Sequence, residues 1–321
     1  MKITKDIYQF ERRLPIIALP EFFKSQNAVD FGYIVEDDFI LPYYIKKKLF
    51  FKYLVFTVGI IGDCGSESDE EIFLNKVILF IKKNIKVDFI SMNHVTALFN
   101  SYPKGSTYCK FGSYVLGLSD TEDSLFKKLH SKHRNVIKKA IKEGLVVSCS
   151  VNNKLKCISL IEDTLKRQKQ AIPDFSGLSY LNGAVDYWIV CKEDELYGAA
   201  IVLWNTRNTA YYMFGGSSEY TQSGAMNFLQ WEIIKKMKTM GVSKYDFVGA
   251  RLNPESNSKY EGIQRFKARF GGELVEGILW EMALNKFKFL LYKSFIKVNS
   301  LLKCKVYRGN IIDQEINRGN V

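Results

Sequence analysis

Two stretches of the chain carry the same alternation of apolar and polar positions. Tyr33–Tyr44 (YIVEDDFILPYY) reads as a strand, an acidic turn and a second strand, and Trp188–Leu203 (WIVCKEDELYGAAIVL) repeats that plan. Each is followed by an apolar strand ending in glycine, Tyr53–Gly59 and Tyr211–Gly215. A loop and a helix come next, Glu70–Lys86 in one half and Ala225–Met240 in the other. Each helix leads to a short strand that opens on Asp-Phe, at Asp88-Phe89-Ile90 and Asp246-Phe247-Val248. Ile34 and Ile189 lie 155 residues apart, Asp88 and Asp246 158 apart. So small a drift marks one supersecondary plan used twice. The pattern predicts an α/β (α+β) chain of two tandem halves, each a mixed sheet flanked by helices.

The halves meet near a predicted helix, Ser124–Glu143, with Leu125, Leu129, Val136, Ile137, Ala140 and Ile141 at helical spacing and Gly144 as its stop. Between Ser124 and Lys142 stand seven Lys or Arg, two His and no acid. That is either a solvated face beside a core stripe or a contact for phosphates or an RNA backbone. A second basic helix is predicted over 286–308, with Phe287, Leu290, Leu291, Phe295, Val298, Leu301 and Leu302 as its apolar stripe. It suits packing on a core or lying on an anionic bilayer. The expected division is 1–123, then 124–285 with the bridging helix, then the tail 286–321.

Composition narrows the class. With 47% hydrophobic residues and six prolines, the chain can bury a core and is not disordered. The longest apolar run, Tyr53–Ile61, is too short to span a bilayer, and Met1–Phe10 does not read as a signal peptide. Six cysteines, none in a C-x-x-C pair, read as reduced thiols of a cytoplasmic protein; with only three histidines, no metal is expected. The net charge of +12 points to a polyanionic partner or merely to solubility.

The chemistry is expected in Tyr211–Gly272. A strand ends at Gly215-Gly216, a loop with Ser217 and Ser223 follows, and a helix begins at Gly224-Ala225-Met226. Small residues before a helix N-terminus let backbone N–H groups approach an anion. The matching first-half loop, GIIGDCGSESDEE, crowds Asp63, Glu67, Asp69, Glu70 and Glu71 at its helix start, which would repel a phosphate. Only the second half is therefore expected to hold an anionic donor. Asp246 and Tyr212 are candidates for deprotonating or orienting an acceptor amine; the plainer readings are a buried carboxylate and a core tyrosine.

Four motifs, in order, then carry a resemblance. Phe111–Ser119 (FGSYVLGLS), Leu129–Gly144 (LHSKHRNVIKKAIKEG), Trp231-Glu232 and the GIQRFKARFGGE stretch around Phe266-Lys267 resemble the signature segments of the FemAB peptidyl and aminoacyl transferases. The resemblance covers about residues 30–280. It implies two GNAT-like domains, with the donor's phosphates at Gly215–Met226 and Phe266 and Lys267 beside its reacting end. It also implies transfer of an acyl or aminoacyl group from acyl-CoA or aminoacyl-tRNA to an amine of a cell-envelope precursor. That precursor is a peptidoglycan peptide or a surface-polysaccharide amino sugar. Where the bridge-forming members often carry an Asp-Pro after the first Asp-Phe strand, this chain has Met92-Asn93-His94. Asn93, with Arg251, is the acceptor-binding candidate, and the acceptor contact is expected to differ. The coiled-coil arm of some members is absent, which leaves the tRNA donor open. Without the motif, Lys267 would read as a solvent-exposed strand lysine.

No G-x-S-x-G elbow, P-loop or H-E-x-x-H occurs. The competing reading is a non-enzymatic RNA-binding or membrane-associated module on a degenerate GNAT scaffold. The expected location is the cytoplasm, or the inner face of the membrane through 286–308.

Overall fold

The structure is a computed structural model that describes residues 1–181, 183–206, 208–302 and 308–320. Cys304 lies outside the described residues. The first half runs β1 (Lys2–Thr4), α1 (Pro20–Ser25), β2 (Asp30–Glu36), β3 (Phe39–Lys48), β4 (Phe51–Phe56), α2 (Glu67–Asn84) and β5 (Phe89–Ile90). Strand β6 (Thr107–Gly117) and helices α3 (Glu122–Lys128) and α4 (Ser131–Lys142) follow. The plan then repeats as β7 (Val146–Cys149), α5 (Lys154–Arg167), β8 (Val185–Lys192), β9 (Glu195–Leu203), β10 (Thr209–Ser217), α6 (Ala225–Thr239) and β11 (Lys244–Asp246). The chain closes with α7 (Lys259–Ala268), β12 (Glu273–Ala283), α8 (Lys286–Leu302) and α9 (Ile311–Ile316).

Pairing confirms the repeat. β2–β3 and β3–β4 are antiparallel and β4–β5 parallel; β8–β9 and β9–β10 are antiparallel and β10–β11 parallel. Both hairpins turn on acids, with Asp37 and Glu193 in the left-handed region. The expected mixed α/β architecture is therefore the observed one.

Residues 1–113, 249–255 and 275–321 form one compact unit; residues 114–248 and 256–274 form the other. This differs from the expected cuts at 124 and 286. The sixth strand of each sheet comes from the other part of the sequence: β12 pairs with β5, and β6 with β11. A hydrophobic pattern marks a strand but not its partner, so this exchange left no local trace.

In the first unit, Phe73, Leu74, Val77, Ile78 and Ile81 of α2 pack on the sheet with Phe56, Phe99 and Trp280. In the second, Phe228, Leu229, Trp231, Ile233, Ile234 and Met237 of α6 pack on β8 and β9 residues and on α4. The predicted helix 124–143 is two helices. His130 breaks it: its ring nitrogen Nδ1 accepts from the Lys132 N–H at 3.2 Å and caps α4.

Candidate active site

The second unit's parallel pairing stops early. Tyr211 pairs with Asp246, the last residue of β11, whereas β10 continues to Ser217 paired with β9. A bulge at Met213 shifts the register within this stretch. The second Asp-Phe pair therefore ends its strand, where the sequence pattern had it open one. The backbone supplies the reason. Val248 sits at φ 49°, followed by Gly249 at 77°. A β-branched residue in the left-handed region is a true outlier, and such strain persists only where the surroundings impose it. Asp246 Oδ1 accepts the Val248 N–H at 2.7 Å and holds the turn.

Lys267 meets this turn. It lies on α7, not on a strand, and is 8% exposed, which overturns the solvent-exposed strand reading. Its Nζ donates to the Val248 carbonyl at 2.6 Å. Burial lowers its pKa from 10.5 to about 8, and the Asp246 carboxylate partly opposes that fall. Asp246 also disfavours ionisation of Tyr211, after burial. Lys267, Asp246 and Tyr211 thus form one electrostatic cluster where β10 and β11 part.

The FKARFGG stretch is a device for fixing Lys267. Phe270 is fully buried, with its ring 5.2 Å from both Phe247 and Phe266. His133 on α4 is the residue that sequence reasoning missed, having counted it only as part of a basic face. Its Nε2 lies 3.0 Å from the Phe266 carbonyl, and its ring 4.7 Å from that of Phe270. Burial lowers its pKa, consistent with a neutral ring. The only sequence sign was its place in the LHSKHRNVIKKAIKEG segment. Gly271, at φ 81°, leaves little room for a side chain: a Cβ there would stand 3.0 Å from the Lys128 carbonyl oxygen. Arg134, also from the basic helix, donates to the carbonyls of Lys127 and Leu129. Part of the basic helix therefore serves as an internal buttress.

Tyr212 stands apart from Lys267. It packs against the second core, and burial raises its phenol pKa with Gln230 as a hydrogen-bond partner. Burial thus favours its protonated, donating form. Gly215 makes space for it, since a Cβ there would lie 1.6 Å from the Tyr212 hydroxyl.

The expected donor loop forms a third group. Gly216 packs against α5, where a Cβ would lie 2.8 Å from Ile161 Cα. The Ser217 N–H is taken by Thr164 Oγ1 at 3.0 Å, so Ser217 does not offer that donor to a ligand. Gly224 takes φ 87° at the N-cap of α6, whose first turn has neither a capping side chain nor an acid. Ala225 is buried and Met226 lies over Gly198, while Ser223 is exposed. The first unit's counterpart is filled by its own acids. Ser66 caps α2 at Asp69, and the buried Glu70 carboxylate accepts from Asn100 N and Nδ2, each at 2.8 Å.

Neither acceptor candidate offers an open polar face. Asn93 is fully buried in the first unit, and no hydrogen bond reaches its amide among the described residues. Arg251 is bound to Glu315 and Gln314, each at 2.5 Å.

Residues 182–297 match the FemAB family. This stretch is similar to the FemAB family. The match takes in α7, with Phe266 and Lys267. Among curated proteins, the lipid II:glycine glycyltransferase of Staphylococcus epidermidis is 27% identical over 198 residues, 59% of this chain and 43% of that protein. Its Staphylococcus aureus namesake is 27% identical over 123 residues, 35% of this chain and 29% of that protein. The FemAB-like chain thus matches less than half the length of these relatives. Among solved structures, FemX aligns with TM-score 0.66 at 14% identity, covering 91% of this chain and 99% of its own. The C-terminal domain of a putative lysylphosphatidylglycerol synthetase from Agrobacterium fabrum aligns at 0.51, also at 14% identity, covering 84% and 89%. At such identities the likeness is one of fold.

Proposed function

We propose that this chain is an acyltransferase that moves an aminoacyl group onto an amine of a peptidoglycan precursor, with Lys267 stabilising the charge that develops on the donor carbonyl. The observation that carries the reading is a buried, pKa-depressed lysine held by a strained turn inside the FemAB signature. The names of the FemAB relatives favour glycine as the group and lipid II as the acceptor. The net charge of +12 and the uncapped start of α6 favour an anionic donor.

In the proposed step, the acceptor nitrogen's lone pair attacks the donor carbonyl. A C–N bond forms, and the carbonyl π electrons move onto oxygen. The Lys267 ammonium stabilises that oxyanion in a site shielded from water. Collapse breaks the bond to the donor's leaving atom, oxygen in an aminoacyl ester or sulfur in a thioester. The leaving atom takes the proton the amine gives up. Asp246 keeps Lys267 charged near neutral pH. Tyr212, whose buried phenol favours the protonated form, is read as a core side chain and not as the base.

Steady-state kinetics of Lys267→Ala beside Arg269→Ala test this. Loss of one preorganised oxyanion donor costs about 100-fold or more in kcat. A rise in donor KM alone would mean that Lys267 holds a phosphate in ground and transition states alike. Near wild-type turnover in both variants would remove Lys267 from the site.

A further inference from the structure

Helix α8 has two apolar faces, and among the described residues only the inner one is packed. Inward, the Phe289 ring lies 5.1 Å from Phe89, and the Tyr292 ring lies 4.8 Å from Phe89 and 5.5 Å from Tyr53. Outward, Phe287, Leu290, Leu291, Val298, Leu301 and Leu302 are exposed, Phe287 at 71% and Leu302 at 78%. Spacings of three, four and seven residues put them on one side of the helix, in two apolar clusters separated by Ser294 and Lys297. A surface helix ordinarily turns polar residues outward; an apolar outward stripe marks a contact.

The β3–β4 hairpin lies beside it. Phe51 is 5.3 Å from Tyr292 and 6.5 Å from Phe295, and the Lys48 ammonium lies 5.8 Å from the Phe295 ring centre. Lys48 pairs with Phe51, so Leu49-Phe50 is a two-residue turn, and Leu49 has φ 55°. Such turns favour Asn-Gly or Asp-Gly. Here the tip is Leu-Phe, 60% and 63% exposed, after three consecutive lysines, Lys46, Lys47 and Lys48. The sequence has no Asp or Glu from Phe39 to Gly62 or from Met282 to Ile312. No helix among the described residues is long and apolar enough to cross a membrane.

We propose that the Leu49-Phe50 tip and the outer stripe of α8 form one face that docks on an anionic lipid bilayer. The apolar side chains enter the headgroup boundary while the flanking lysines meet the lipid charges. Uniformly basic charge with no acid on either segment selects an anionic surface over a second copy of this chain, whose equally basic face would repel it. The inference does not depend on the proposed reaction.

Sedimentation with vesicles of phosphatidylglycerol and phosphatidylcholine, or of phosphatidylcholine alone, tests it. The wild-type chain is expected to bind only the anionic vesicles and to release as salt rises. Leu49→Gln with Phe50→Gln, and separately Leu290→Gln with Leu301→Gln, should each weaken binding roughly tenfold or more, since each exposed apolar side chain removed forfeits its share of burial. Lys47→Gln with Lys48→Gln should weaken it and flatten the salt dependence. All these positions are exposed, and unchanged melting curves will show that the fold is kept. Absence of wild-type binding, or full binding by both apolar variants, would overturn the proposal. So would self-association of the wild type, in ultracentrifugation, that the same substitutions abolish. Transfer to a soluble acceptor should be unaffected in every variant, which separates failure here from failure of the enzymatic reading.

Discussion

Lys267 is a side chain kept at a cost. Its folded pKa of about 8 lies below the ordinary 10.5, so the unfolded chain binds more protons across that window. Stability should therefore rise as pH climbs from about 8 to 10.5, and the burial penalty is fully felt below 8. Lys267→Met should be more stable than wild type at neutral pH, by up to about 3 kcal/mol less the lost hydrogen bond to Val248. The variant should also lack the extra upward slope. Urea midpoints at pH 7 and pH 10 check both; parallel curves would mean that Lys267 is better solvated than its position indicates. Activity should run the other way. If charged Lys267 is the working form, kcat falls as pH rises through about 8. A rise through the same pH would make the neutral amine the working form, and so a base.

At the scale of elements, α7 depends on α4. His133 holds the Phe266 carbonyl and packs on Phe270, so His133→Ala should lower kcat while leaving the inflection near pH 8 in place, because Lys267 itself remains. Loss of a buried ring and its hydrogen bond should also cost about 2–4 kcal/mol in urea unfolding. An unchanged kcat would make α4 a packing element only. Gly224→Val should be more damaging than most surface changes: φ is 87°, and a Cβ would stand 2.4 Å from the Val136 carbonyl oxygen. Melting temperatures would show it. Much of this level was legible in the sequence. The duplicated hairpins, the α2 and α6 core stripes and the acid-filled first loop follow from periodicity and charge. Lys267 was found by motif but placed on the wrong element, because KYEGIQRFKA has a weak apolar stripe and its helix is set by the Ser258 cap and tertiary packing. The role of His133 depends on a contact 133 residues away in sequence, which no local pattern encodes.

For the whole molecule, the exchange of β6 and β12 makes the tail part of the first unit. Ile312 and Glu315 of α9 are fully buried, Glu315 takes Arg251 and Arg318, and Lys293 of α8 reaches the buried Glu281 at 2.6 Å. Truncation after Asn285 should therefore abolish cooperative unfolding of the first unit, as circular dichroism melts would show, and cannot serve as a fold-neutral test of the tail. A truncated chain that melts like wild type would contradict the placement of α8 and α9. That Asn93 is buried and that Arg251 is tied to Glu315 and Gln314 depends on tertiary contacts that the sequence pattern does not encode. The central claim, that a FemAB-type site around Lys267 transfers an aminoacyl group, has a direct test. The chain would be incubated with charged tRNA, with acyl-CoA, and with a peptidoglycan-precursor pentapeptide, and the peptide weighed by mass spectrometry. The account predicts one added aminoacyl residue on the acceptor amine with wild type and loss of that product with Lys267→Ala. No mass gain with any donor, or equal gain in the variant, would contradict it.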